Sequence, residues 1–307
     1  MSEQTVFITG GTGLLGKALL ETIPAGVRVF ATYHRRLPPA AWRDFFLPLD
    51  LCQQASIDSL FEKVKPDTVI HTASIGEVDE AERHLDSVRA VNVEGTQKVL
   101  QSCRQSNACF IFISSNAVFD GTHPPYREEA PLRAVNQYGQ MKIAAEQLVS
   151  ASGVPHLIVR PILMYGWPLE GGRENAVTRW LTSFEKSEPV RVAEEIVTMP
   201  LWVVDCARTI WIGLLQRKEG IVHVAGADRV TMVQFAKEVC RLFNHDERLI
   251  RSVPSREFAH LAPRPRDTSF DLTRLRLEFK IEPLGIHEGL TQMCQGRAVT
   301  LSKALSP

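Results

Sequence analysis

Apolar residues recur along this chain in two alternating rhythms. Short runs of β-branched and aromatic residues are followed by stretches with apolar positions three and four apart, so strands alternate with helices. Val6-Phe7-Ile8 predicts a first strand, and Leu14, Leu15, Ala18, Leu19 and Leu20 predict the helix after it. Val27–Tyr33 reads as a second strand and 46–49 as a short third. A helix is expected over 56–64, a strand at Thr68–His71 and one long helical pattern over 79–102. The strongly apolar run 108–114 predicts a strand, 136–149 a helix and 155–160 a further strand. That order argues for an α/β protein with a doubly wound, parallel Rossmann sheet covered on both faces. The pattern changes after Tyr165. Helices over 174–184, 204–215 and 231–243 mix with a strand at 221–224 and an Arg-rich irregular segment, 262–271, without a regular period. The expected organisation is a Rossmann domain over 1–165 and a smaller, mainly substrate-binding region over 166–307, some of whose segments can return to the first domain.

Between the first strand and helix lies Gly10-Gly11-Thr12-Gly13-Leu14-Leu15-Gly16. Glycines let a backbone turn sharply and approach a ligand, and a helix N-terminus offers N–H groups to a pyrophosphate. In its strand–turn–helix setting this glycine pattern points to a nucleotide. The second strand ends in Tyr33-His34-Arg35-Arg36 rather than in an acid. Two guanidiniums suit a ribose 2′-phosphate, which favours NADP over NAD; a solvated basic loop is the plainer reading. Asp50, beside Leu51, is placed to accept from an adenine amino group. At His71-Thr72-Ala73 small residues would let a cofactor lie flat, while His71 itself reads either as a cofactor contact or as a satisfied strand-end residue. Tyr138 and Lys142 lie four apart on an expected helix and share a face. An ammonium there would lower the phenol pKa and help it act as an acid or base. Ser115, just beyond the apolar strand, could hydrogen-bond a carbonyl, or serve as a capping hydroxyl.

Composition narrows the picture. Lys and Arg total 35, as do Asp and Glu, so no basic field favours nucleic acid or an anionic membrane. No apolar run is long enough to span a bilayer, and the N-terminus lacks a signal-peptide pattern. The six cysteines form no CxxC pair, the histidines form no metal motif, and no GxSxG elbow occurs. A soluble cytoplasmic protein without a metal is expected.

Taken together, TGGTGLLG, Asp50-Leu51, Ser115 and Tyr138-x-x-x-Lys142 resemble the extended short-chain dehydrogenase/reductase superfamily. Within it the chain resembles the dTDP-4-dehydrorhamnose reductase family at VDEAE (78–82), VFDG (118–121), PYREE (125–129), Tyr138-Gly139 and Arg264-Pro265 followed by Asp271. That resemblance implies NADPH-dependent reduction of a 4-keto group on a nucleotide-linked sugar. Tyr138 would protonate the alkoxide, Lys142 would hold the ribose, and Ser115 would orient the ketone. Asn175 and Arg264 would face the nucleotide sugar. The chain departs from that family where it has Ala117 and Leu163. PILMYG (161–166), ENAVT (174–178) and Arg264-Pro265-Arg266 look more like the regulatory β subunit of methionine adenosyltransferase, which binds NADP and serves as a binding partner. The resemblance implies a homodimer or, in the regulatory case, another protein as partner.

Overall fold

β1 (Gln4–Thr9) is buried from Thr5 onward because it runs mid-sheet, in parallel with both β2 (Val27–Tyr33) and β4 (Thr68–His71). β3 (Phe46–Pro48) adds beyond β2. On the other side lie β5 (Cys109–Ile113), β6 (His156–Pro161) and β7 (Gly220–Val224). The order is β7-β6-β5-β4-β1-β2-β3 and every pairing is parallel, so the expected α/β Rossmann sheet is observed. This is a computed structural model, and it describes residues 3–258 and 260–296. Residues 297–307 of the expected C-terminal region lie outside the described residues, as do Met1 and Ser2 at the N-terminus.

Strand alternation sends side chains to two cores. On one face Val6, Ile8, Ile70, Ile111 and Val159 meet α1 (Leu14–Glu21), through Leu15, Ala18 and Leu19. On the other, Phe7, Val69, Phe110, Phe112 and Ile158 meet α2 (Gln54–Val64) through Ile57, Leu60, Phe61 and Val64.

The helical pattern expected over 79–102 is broken into four pieces. These are α3 (Val78–Arg83), α4 (Leu85–Arg89), a π-helical turn (Ala90–Gly95) and α5 (Thr96–Ser106). His84, at φ −129° and ψ 52°, interrupts the first two. The π turn brings Asn92 round to the loop after β4, where it accepts the Ile75 N–H at 2.8 Å and donates to Ile75 O at 2.9 Å.

α6 (Gln137–Ala151) packs on the second core through Ala145 and Val149. In the second half, α7 (Ala176–Glu185), α9 (Met232–Leu242) and α11 (Ile286–Gln295) enclose a third core around Trp180, Phe184, Phe235 and Leu290. α8 (Val203–Leu215) and α10 (Thr273–Phe279) instead join the first core, where α8 packs against α1. Three two-stranded pairings complete the fold: Met164–Tyr165 with Leu201–Trp202, Val197–Thr198 with Val230–Thr231, and Val190–Ala193 with Ile250–Val253. Among the described residues, no helix is long and apolar enough to cross a membrane.

Candidate active site

The carboxyl ends of β1 and β4 adjoin, Thr9 lying opposite His71 at the point where the strand order reverses. Ligands of doubly wound sheets sit in the crevice beyond such ends. There Gly10 takes φ +73° and its N–H donates to Thr32 Oγ1 at 3.1 Å. A Cβ on Gly16 would stand 2.5 Å from Gly10 O, so the missing side chain is what lets α1 start directly on the turn. Thr12 is half-buried, Gly13 is exposed, Leu14 is half-buried, and Leu15 is buried in the first core. Gly13 caps α1 without a side-chain hydrogen bond, and the first helical turn carries no acid. An anion therefore meets no competing charge at this helix end.

Arg35 and Arg36 are exposed just after β2. Among the described residues neither has a hydrogen-bonding or ion-pair partner. Asp50 is half-buried, and its Oδ1 accepts the Cys52 N–H at 2.9 Å. Leu51 is buried in the second core. Ala73 lies beside the glycine turn, since a Cβ on Gly10 would be 2.7 Å from Ala73 N. His71 is buried with its Nδ1 2.8 Å from Thr9 Oγ1 and its Nε2 3.2 Å from Thr96 Oγ1. Burial, then the charge of Lys142, lower its pKa to about 3, so it is neutral. Both ring nitrogens have partners, so the ring is satisfied as a strand-end residue.

Ser115, Tyr138 and Lys142 meet at the end of β5. Ser115 caps a short 3-10 turn, Asn116–Val118, its Oγ accepting the Ala117 N–H at 3.1 Å. Tyr138 starts α6, whose N-cap Asn136 accepts the Gly139 N–H at 2.8 Å and donates to Pro263 O at 2.9 Å. Lys142 is 3 % exposed, and its Nζ donates to Ile113 O at 2.8 Å. That Nζ lies 5.7 Å from the Tyr138 ring centroid and 5.0 Å from that of Phe112. The expected lowering of the phenol pKa is not the net effect here. Burial raises the Tyr138 pKa, while Ser115 and Arg173 work the other way. Burial likewise lowers Lys142 to about 8, against the pull of Glu146. A phenol that keeps its proton at neutral pH can act as an acid toward a developing alkoxide.

Sequence reasoning named Asn175 and Arg264 above this cluster but missed the charged pair below it and the Arg173–Glu77 contact above it. Below, Glu146 and Arg160 form a buried pair, Arg160 Nη2 to Oε2 at 2.6 Å and Nε to Oε1 at 2.9 Å. Ser114 Oγ donates to the same carboxylate. Arg160 Nη1 continues to Glu128 O at 2.9 Å and contacts His223 Nε2 at 3.2 Å. An arginine inside the apolar run HLIVR was the available signal, because an unpaired charge cannot stay in a buried strand. Above, Asn175 caps α7 by accepting the Val177 and Thr178 N–H groups, and donates to Gly166 O at 2.7 Å. Arg264 pairs with Asp79, and Arg173 with Glu77. The Arg264 and Arg173 loops therefore hang over the same side as Tyr138, while the Asn175 amide is engaged in capping.

A parallel sheet that switches direction at β1/β4, with a glycine turn and a Ser/Tyr/Lys cluster at its carboxyl edge, defines a Rossmann-like α/β protein. Within that class the chain belongs to the RmlD substrate binding domain family, whose model matches residues 4–298. It is similar to the methionine adenosyltransferase 2 subunit beta of Xenopus laevis, 29% identical over 89% of this chain and 82% of that protein. A dTDP-4-keto-6-deoxy-D-glucose reductase of Streptomyces niveus is 29% identical over 85% of this chain and 86% of that protein. Among solved structures, the dTDP-4-dehydrorhamnose reductase of Bacillus anthracis in complex with NADP aligns with a TM-score of 0.85 and 25% identity. That alignment covers 96% of this chain and 100% of the other.

Proposed function

We propose that the chain is a cytoplasmic NADPH-dependent reductase of a 4-keto group on a nucleotide-linked deoxysugar such as dTDP-4-dehydrorhamnose. The observation that carries this reading is the Ser115, Tyr138 and Lys142 cluster beside an uncapped, acid-free helix start. Relatives that reduce dTDP-keto sugars, and a structural neighbour complexed with NADP, support it. The residues fit NADP. The N-terminus of α1 and the turn from Gly10 to Gly16 suit the pyrophosphate, and the exposed Arg35 and Arg36 suit the 2′-phosphate. Asp50 and Leu51 would flank the adenine, with Ala73 and the backbone of His71 along the floor.

When bound, NADPH supplies the hydride that converts the ketone carbon to an alcohol carbon. Ser115 Oγ donates to the ketone oxygen and fixes its direction. Tyr138 transfers its proton to that oxygen as negative charge develops there. An ammonium has three donors, and one of Lys142's goes to Ile113 O. The other two are available for ribose hydroxyls, and the positive charge steadies the phenolate left on Tyr138. Arg264 and the α7 cap at Asn175 would shape the nucleotide-sugar side.

The test is NADPH oxidation by the purified protein with dTDP-4-keto-6-deoxy-L-lyxo-hexose, run beside Tyr138→Phe. Turnover is expected in the wild type and a fall of about 10²–10⁴-fold in the mutant, with NADPH still bound. A second reading is favoured by the methionine adenosyltransferase β relatives and by Ala117 and Leu163. In it the same fold holds NADP without turnover and binds a catalytic partner protein. Tight NADPH binding, no turnover of any keto-sugar nucleotide and a co-purifying partner would select that reading.

A further inference from the structure

Two arginines from separate loops reach back to one short segment. Arg264 pairs with both carboxylate oxygens of Asp79 at 3.1 Å. That contact is tied down further, because Asp79 accepts the Ala262 N–H at 2.8 Å and Arg264 Nη1 donates to Ala262 O at 2.7 Å. Arg173, in the loop before α7, places its Nε 3.1 Å from Glu77 Oε1, at the N-cap of α3. This second pair has no such reinforcement. The two side chains are 54% and 51% exposed, and among the described residues neither side chain has another hydrogen bond or ion pair. Exposed pairs of this kind contribute little to stability, so Arg173 can exchange partners at small cost.

Its position gives that exchange a use. The guanidinium lies across Gly76, where a Cβ would stand 3.0 Å from Nη1. Its charge reaches the Tyr138 hydroxyl, where it opposes the effect of burial. A planar guanidinium binds phosphate oxygens in a two-pronged fork, and a diphosphate carries more charge than the single carboxylate it would displace. We propose that Arg173 is a ligand for the diphosphate of the substrate, and that Glu77 holds its place until that anion arrives. This rests on the nucleotide-sugar reading above. Arg264 keeps its loop anchored on Asp79, while Arg173 is the cation that changes partner.

The experiment is calorimetric titration of the NADPH-loaded protein with dTDP, with thymidine as the uncharged control. Wild type, Arg173→Ala and Glu77→Gln are compared, and NADPH affinity and the thermal midpoint are measured for each. Arg173→Ala is expected to weaken dTDP binding by about 10–100-fold, the loss of charge-assisted hydrogen bonds, without changing NADPH affinity. Glu77→Gln is expected to tighten dTDP binding, because the competing carboxylate is gone. If Arg173→Ala binds dTDP as tightly as the wild type, the assignment is overturned. If Glu77→Gln binds it more weakly, the exchange is overturned. A wild type that binds NADPH but no dTDP would overturn the nucleotide-sugar reading, and this inference with it.

Discussion

Lys142 is a charge kept where charge is expensive. It is 3 % exposed, one donor goes to a backbone carbonyl, and the nearest rings are Phe112 and Tyr138. Burial lowers its pKa from 10.5 to about 8, and Glu146 limits the fall. Below about pH 8 the folded protein carries this buried ammonium, at a cost of roughly 3 kcal/mol by the size of the shift. Between about 8 and 10.5 the unfolded chain holds a proton that the folded chain has released. Raising pH through that window therefore favours the folded state. Two outcomes are expected. The Lys142 contribution to stability rises from pH 8 to pH 10 in chemical unfolding, and Lys142→Met removes that rise. On the proposed reductase mechanism the catalytic rate is instead expected to fall as pH passes about 8, because the ammonium proposed to steady the phenolate is lost. A rate that stays flat from pH 7 to pH 10 would show that the charge on Lys142 plays no part.

At the scale of elements, Tyr138 is placed by its neighbour. A Cβ on Gly139 would stand 2.1 Å from Ala117 O and 2.7 Å from Ala134 Cβ. The first turn of α6 thus rests directly on the 3-10 turn that Ser115 caps, and the bare glycine sets the Tyr138–Ser115 approach. Gly139→Ala must push these elements apart. The expected result is a loss of about 1–3 kcal/mol in stability, as for an overpacked core. Turnover is expected to fall by a larger factor than NADPH affinity, since the glycine turn at α1 is untouched. Equal turnover would mean that the contact relaxes without moving Tyr138. Much of this level is legible in the chain itself. β1, the turn at Gly10 and the strands 68–71 and 109–113 follow from local apolar runs, because buried parallel strands read as such whatever surrounds them. Ser115, Tyr138 and Lys142 are legible as a set only through spacing and order. The breaks within 79–102 are not legible, since Asn92 turns inward to satisfy Ile75, a partner 17 residues away. The pairing of Val190–Ala193 with Ile250–Val253 is hidden for the same reason, as each strand is short and finds its partner some 60 residues on. Arg173 gave no signal either: an exposed arginine in a Gly-rich loop acquires meaning only from the Glu77 and Tyr138 it faces.

For the whole molecule, the question is whether the first 165 residues stand alone. The first core contains Val6, Ile8 and Leu19 from the N-terminal half, and Cys206, Ile210, Trp211, Val222 and Val224 from the C-terminal half. Trp211 Nε1 donates to Leu19 O at 3.2 Å and to Thr22 Oγ1 at 3.1 Å, pinning α8 to α1. β7 extends the sheet beside β6, and its His223 N–H donates to Glu128 Oε1 at 3.0 Å. A fragment ending at residue 165 would lose α8 and β7 together. It would bare one side of α1, leave β6 as an edge strand, and expose the Glu146–Arg160 pair that His223 helps enclose. Each of these costs is large against the roughly 5–15 kcal/mol that holds an ordinary domain together. The expected outcome is that residues 1–165, produced alone, show no cooperative thermal transition by circular dichroism and no NADPH binding. The same residues within the full chain are expected to melt in one transition whose midpoint rises with added NADPH, as linkage requires of a ligand that binds only the folded state. A fragment that melts cooperatively and binds NADPH would establish instead that the nucleotide-binding half is autonomous, with α8 and β7 as later reinforcement.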